Sequence, residues 1–199
     1  MTSPPAERED GALAAAALAG EERAFTELMR RHKDAVYRLA RRYVGDADEA
    51  LDLVQETFAS AWSALADYDP GRPMSAWLRR IVLNKCRDWS RRRQVRRFFF
   101  GAASIDTKRA ETIAAAQTAP DPAVEGALTR LEAAIAALPV SLKEPLLLTT
   151  IEELSHKEAG RLLGLSPKAV EMRVYRAKQA LAQTMDNEGH LTANEPDNS

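Results

Sequence analysis

Apolar residues recur at intervals of three and four along most of this chain, and the pattern lapses only once. It runs through residues 21–97, fails between 98 and 126, and returns from 127 to 185. Side chains three and four apart share one face of an α-helix, so each such stripe must be buried against a neighbour. No stretch alternates apolar and polar residues as a half-buried strand would. The expected architecture is all-α: two small helical domains, 21–97 and 127–185, joined by a flexible linker at 98–126. Residues 1–20 read as an N-terminal leader, with MTSPPAERED (1–10) disordered, and 186–199 as an acidic disordered tail.

Within the first segment, Phe25, Leu28, His32, Val36, Leu39 and Tyr43 predict a helix from about Glu21 to Val44. GDAD (45–48) breaks the chain and restarts it, with acids placed to favour a helix N-terminus. Leu51, Val54, Phe58, Trp62 and Leu65 then mark the buried stripe of a second helix, and DYDPGRP (67–73) is a loop by composition. Ser75 is placed to cap a third helix, running to about Arg93. In the second segment Leu128, Leu131, Ile135 and Leu138 form a helix stopped by Pro139. Leu142 to Glu153 form another, although Pro145 lies inside it. His156 to Leu163 is a short third helix ended by Gly164, and Ser166 caps a fourth that opens with Pro167.

Charge is partitioned more sharply than the net value of −1 suggests. Residues 23–97 hold 17 bases against 10 acids and residues 127–185 hold 8 against 6, so positive charge gathers in the two helical segments. The leader, linker and tail are each net acidic. That layout favours a polyanionic partner. The single cysteine, Cys86, excludes an internal disulfide framework, and nothing resembles a secretory leader. No apolar run approaches the roughly 20 residues of a membrane span. A cytoplasmic protein without membrane insertion is expected. His32, His156 and His190 share no metal-ligand spacing with each other, with Cys86 or with paired carboxylates. His32 sits on an apolar stripe and reads as a core histidine. Without a glycine-rich phosphate loop or a nucleophile–base pattern, no catalytic residue, metal or cofactor is expected, and the chain does not read as an enzyme.

LSHKEAGRLLGLSPKAVEMRVYRAKQAL (154–181) combines a short helix, a tight Gly-Leu-Ser turn and a longer basic helix. This is a helix-turn-helix, which presents its second helix to the DNA major groove. Gly160 lets the two helices approach closely. Val170, Val174, Ala177 and Leu181 must face inward, so at 100° per residue Lys168, Glu171, Met172, Tyr175 and Arg176 face out, flanked by Arg173 and Lys178. Residues on such an arc reach base edges while flanking cations hold phosphates.

The same rotation applied to SAWLRRIVLNKCRDWSRRRQVRR (75–97) gathers Leu78, Ile81, Val82, Cys86 and Trp89 on one side. Arg80, Asn84, Arg87 and Arg91 fall on the other within an arc of roughly 60°. Trp77 and Asp88 border it, and Trp77 is either a half-buried core residue or a stacking platform. Arginines for phosphates, an amide for a base edge and a ring for stacking suit a strand with exposed bases.

LVQETFASAW (53–62), DYDPGRPMSAWLRRIVLNKCRDWSRRR (67–93) and the helix-turn-helix, in that order, resemble the extracytoplasmic-function (ECF) sigma factors of the bacterial sigma-70 family. The resemblance covers residues 21–185. It implies an RNA polymerase sigma factor: region 2 binds core polymerase and melts promoter DNA at the minus-ten element, and region 4 binds the minus-thirty-five element. Asp52, Gln55 and Glu56 would meet the clamp helices of the large core subunit. The loop Tyr68 to Met74, with Asp69 and Arg72, matches the loop that captures a flipped non-template base. Asn84, in the arc with Arg80, Arg87 and Arg91 that Trp77 borders, matches a position on minus-ten DNA. Glu171, Met172, Tyr175 and Arg176, with Lys168 and Arg173, match the minus-thirty-five readers. The resemblance also implies a stress-responsive factor controlled by an anti-sigma factor, and Phe98 to Phe100 either anchor the linker or form a surface that such an inhibitor covers. The chain departs from the family at Leu51, where an acid is usual, at Ala159-Gly160, and at Glu171 and Met172. The alternative is a one-component helix-turn-helix regulator, which would leave the basic helix and LVQE without a purpose.

Overall fold

The computed structural model describes residues 5–100 and 122–192. Eight α-helices and one 3₁₀ turn account for the regular structure among them: α1 (Pro5–Leu18), α2 (Glu22–Val44), α3 (Ala47–Ser63), the turn Leu65–Asp67, α4 (Met74–Phe100), α5 (Pro122–Ala137), α6 (Val140–Thr150), α7 (His156–Leu163) and α8 (Pro167–Thr192). There is no strand among the described residues. The helices fall into two compact units, α1–α4 and α5–α8.

The first unit is built on α2, which packs against α1, α3 and α4. Leu28, Val36, Leu39 and Tyr43 bury its inner face. It ends where Gly45 turns left-handed, at φ 80°, and its N–H closes onto the Arg41 carbonyl, a backbone state that glycine enters without steric cost. Asp46 restarts the chain by accepting from the Glu49 N–H at 2.9 Å. On the outer side of α2, Arg30 and Arg31 both bond Glu27 and hold its carboxyl down at about 2.

Four expectations for this unit are corrected. The leader is not disordered over residues 5–10: α1 is a helix with Ala14 and Ala17 buried, and it lies on α2. Asp10 reaches His32 at 2.7 Å, so His32 is a polar partner of α1 rather than a plain core residue. The stripe of α3 is rotated. Leu51 and Trp62 are 51% and 45% exposed, whereas Ala50, Leu53, Thr57, Phe58 and Ala61 are buried. Small residues on the inner face let α3 approach its neighbours closely, and Trp62 instead covers Phe25, with ring centroids 4.9 Å apart. Ser75 does not cap α4. The helix starts one residue earlier, and the Pro73 carbonyl accepts from the Ala76 and Trp77 N–H groups.

Further corrections concern the ends. α4 continues past Arg93 to Phe100, and α5 starts at Pro122, a residue suited to a first helical position. The linker expected at 98–126 is therefore helical at both ends, and its middle, 101–121, lies outside the described residues. Phe99 is 74% exposed, and the side chains of Phe98 and Phe100 lie outside those described. The acidic tail is helical to Thr192 as the end of α8, and the remainder lies outside the described residues.

In the second unit α8 packs against α5, α6 and α7. Leu146, Leu147 and Leu148 of α6 and Val170 and Ala177 of α8 are buried. α6 spans Val140–Thr150 rather than 142–153, and Pro145 stands inside it. Proline there forgoes the bond to the Ser141 carbonyl, and burial of residues 143–148 overrides that loss. The Lys143 ammonium, also buried, donates to the Ala136 carbonyl near the end of α5, where a helix favours positive charge.

Candidate functional site

The helix-turn-helix is set by α7, Gly164 and α8. Ser155 and Glu158 form a reciprocal capping box at the start of α7. Gly164 ends it at φ 69°, and the Leu165 N–H returns to the Gly160 carbonyl at 2.9 Å. Ser166 then accepts from the Ala169 N–H at 3.1 Å and opens α8. The outward arc stands as expected: Lys168, Glu171, Met172, Tyr175 and Arg176 are exposed and Arg173 is half-buried. Lys168 Nζ lies 3.0 Å from both carboxylate oxygens of Glu171, so the acid carries its own counter-charge. Gln179 donates to the Tyr175 hydroxyl at 2.9 Å, which fixes the direction of a ring 57% exposed.

In the first unit the loop before α4 is folded on itself. The Tyr68 ring is buried, 5.3 Å from the Trp77 ring, and its hydroxyl donates to the Arg72 carbonyl at 2.8 Å. Asp69 accepts from the Gly71 N–H at 2.9 Å, and its carboxylate lies 3.2 Å from the Arg72 guanidinium. The Asp-Pro-Gly order carries this turn, since an aspartate two residues ahead of an N–H caps it locally. Tyr68 thus shapes the loop, while Asp69 and Arg72 stand exposed on it. Trp77 is half-buried against Tyr68, between the two roles left open for it.

Along α4, Leu78, Val82, Leu83, Cys86 and Trp89 are buried. Arg80, Asn84 and Arg91 are exposed on the opposite face and Arg87 is half-buried. Arg87 donates to the Asn84 carbonyl oxygen at 3.1 Å and so orients that amide. Four cationic or amide side chains therefore share one face of the helix that continues out of the loop Tyr68–Met74.

The third region is an open cleft of about 630 Å³ between α3 and α4. Glu49, Asp52 and Glu56 line one side, and Trp89, Arg92 and Val95 the other. Asp52 and Gln55 are exposed, but Glu56 is tied to α4, 3.6 Å from Arg92 and 3.9 Å from Lys85. The Trp89 indole donates to Glu49 at 2.6 Å, and Arg93 lies over the same ring at 5.1 Å. The stripe pattern gave no sign of Glu49, Lys85 or Arg92, because cross-helix partners depend on packing. Among the described residues there is no cluster of three or more ligating side chains that could hold a metal ion, and no helix long and apolar enough to cross a membrane.

A twin-domain helical chain with a basic helix and a helix-turn-helix is what comparison with known proteins returns. The Sigma-70 region 2 profile matches residues 28–96 and the Sigma-70, region 4 profile residues 128–181. The chain belongs to the sigma-70 family, and within it to the ECF RNA polymerase sigma factors. It is 42% identical to RNA polymerase sigma factor CnrH of Cupriavidus metallidurans, over 90% of this chain and 96% of that one. It is 31% identical to ECF RNA polymerase sigma factor SigM of Mycobacterium tuberculosis, over 90% and 86%. The structure of CnrH in complex with the cytosolic domain of CnrY superposes with a TM-score of 0.64, at 36% identity over 90% of this chain and 98% of that one. The match over residues 28–96 accounts for the basic helix and LVQE, which a one-component regulator leaves without a role.

Proposed function

We propose that this sigma factor holds core polymerase by α3, captures melted minus-ten bases with the loop Tyr68–Met74 and α4, and reads the minus-thirty-five element with α8. The observation that carries the reading is the continuity of loop and helix. A pre-folded turn opens directly into a face bearing Arg80, Asn84, Arg87 and Arg91. A strand leaving duplex can lay its phosphates on the arginines while a displaced base enters the loop. Stacking is worth about 1–3 kcal/mol per base, and extruding a base costs a few kcal/mol, so a few such contacts offset local melting.

On α3, Asp52 and Gln55 are free to meet the clamp helices. Glu56 contributes by holding α3 to α4 rather than by facing outward. Control by an anti-sigma factor is supported by the CnrH relative, whose structure holds the cytosolic domain of CnrY. The protein would act without a cofactor, in the cytoplasm, in response to stress. The test is open-complex formation with core polymerase. Arg80→Ala with Asn84→Ala should reduce promoter opening, read by permanganate reactivity, more than it reduces duplex binding. Equal losses in both would remove the strand-capture role.

A further inference from the structure

We propose that α1 braces the Tyr68–Met74 loop, and that Gly11 is the residue that positions it. This rests on the reading that the loop takes an unpaired base. The anchor is Asp10, whose side chain is 6% exposed and lies 2.7 Å from His32 and 3.3 Å from Arg31. Arg31 also reaches Glu9 at 3.0 Å, so α1 is held to α2 through two acids, Glu9 and Asp10, while Glu27 of α2 itself steadies Arg31 at 2.9 Å. From that anchor α1 extends to the 3₁₀ turn and to α4, the two elements between which the loop is strung.

The next residue along is Gly11. A β-carbon there would lie 3.5 Å from the Pro70 β-carbon and 3.9 Å from its carbonyl oxygen. Glycine is a poor helix former, and at this position it meets the apex of the loop. An alanine fits at ordinary contact distance, whereas a longer side chain must share its space with Pro70. Tyr68 and Trp77 fix the loop from the α4 side, and Gly11 closes it from the other. A base pocket needs its walls in place before the base arrives, and small displacements are expensive. Residues that the sequence presents as a leader thereby position the melting loop, without touching DNA.

The test uses holoenzyme assembled with full-length variants and fork-junction DNA carrying a randomised single-stranded non-template segment. The tightest probe selected by wild type serves for measurement. Gly11→Ala should bind it like wild type. Gly11→Phe should bind it about tenfold more weakly, the scale of one lost stacking contact, with core-polymerase affinity and fully duplex binding unchanged. A folded Gly11→Phe protein that binds the fork probe like wild type overturns the brace. A second arm avoids any steric push. Gly11→Cys with Pro70→Cys sits at a β-carbon separation that a disulfide accepts. The oxidised protein should bind the fork probe as tightly as the reduced one. Loss on oxidation overturns the proposal, because it means the loop must leave α1 to take a base. Asp69→Ala separates the two readings. Should it leave fork binding unchanged, base capture by the loop fails rather than the brace.

Discussion

The Leu165 carbonyl oxygen closes the space over Gly160: a β-carbon there would lie only 2.6 Å from it. The turn between α7 and α8 therefore depends on the smallness of one residue, whose own carbonyl takes the Gly164 and Leu165 N–H groups. Because the obstacle is backbone, nothing flexible can give way. Gly160→Ala should lower stability by about 1–3 kcal/mol, as overpacking does elsewhere. Thermal denaturation of the full chain would show this as a fall in the melting of the helix-turn-helix unit. Gly164→Ala, in open space but at φ 69°, should lose less, about 1 kcal/mol.

Gly160 also marks what is legible in the sequence. Its closeness to a facing element, the Ser166–Pro167 start of α8 and the outward arc of α8 follow from local rules: a turn, a cap and a 100° rotation. The face of α4 was legible for the same reason. The errors have a different origin. Leu51 and Trp62 are large and apolar, so the period assigns them to the core, yet Ala50 and Ala61 share the inner face of α3 with Leu53, Thr57 and Phe58 where three helices converge. α1 escapes the pattern because its buried face is made of alanines, and its anchor is a polar contact from Asp10 to His32 of α2, twenty-two residues away along the chain. Glu56 looked free until Lys85 and Arg92 were brought up to it from α4. Long-range pairing is where a period stops informing.

Trp89 joins two helices through a single N–H, bonded to Glu49 at 2.6 Å in a partly buried setting. Trp89→Phe keeps most of the buried ring but removes the donor. The expected loss is about 1–2 kcal/mol, a hydrogen bond to a charged partner together with a small void. Glu49→Gln should lose less, since the indole keeps an acceptor. Denaturant unfolding of both variants checks the order. A Trp89→Phe protein as stable as wild type would show that the bond contributes nothing net.

Glu27 gives the fold an acid-sensitive element. Hydrogen bonds from Arg30 and then Arg31 lower its pKa from 4.5 to about 2. The unfolded chain, lacking those partners, takes up the proton first as pH falls. The contribution to stability is therefore complete above about pH 4.5 and is lost progressively towards pH 2. Glu27→Gln should be flatter than wild type across that window and parallel to it at neutral pH. Because the pair is exposed, salt at about 1 M should narrow the difference. Urea midpoints measured against pH in low and high salt test both statements.

Glu171 is the residue on the outer face of α8 whose chemistry restricts its partner most. A carboxylate is repelled by phosphates and by the acceptor edges of guanine and thymine. Its favourable partner in the major groove is an exocyclic amine, above all the N4 group of cytosine. Lys168, 3.0 Å from both carboxylate oxygens, offsets the repulsion as the helix enters the groove. Glu171→Gln keeps the size and removes the restriction, since an amide both donates and accepts. Selection from a randomised minus-thirty-five library by holoenzyme should then show one position, favouring cytosine with wild type, relaxing by about 1–3 kcal/mol of discrimination. Lys168→Ala should weaken binding to all sequences alike and reduce its dependence on salt, because it removes a cation without changing a base contact. An unchanged sequence preference in Glu171→Gln would take the carboxylate out of base reading and leave it as the partner of Lys168 alone.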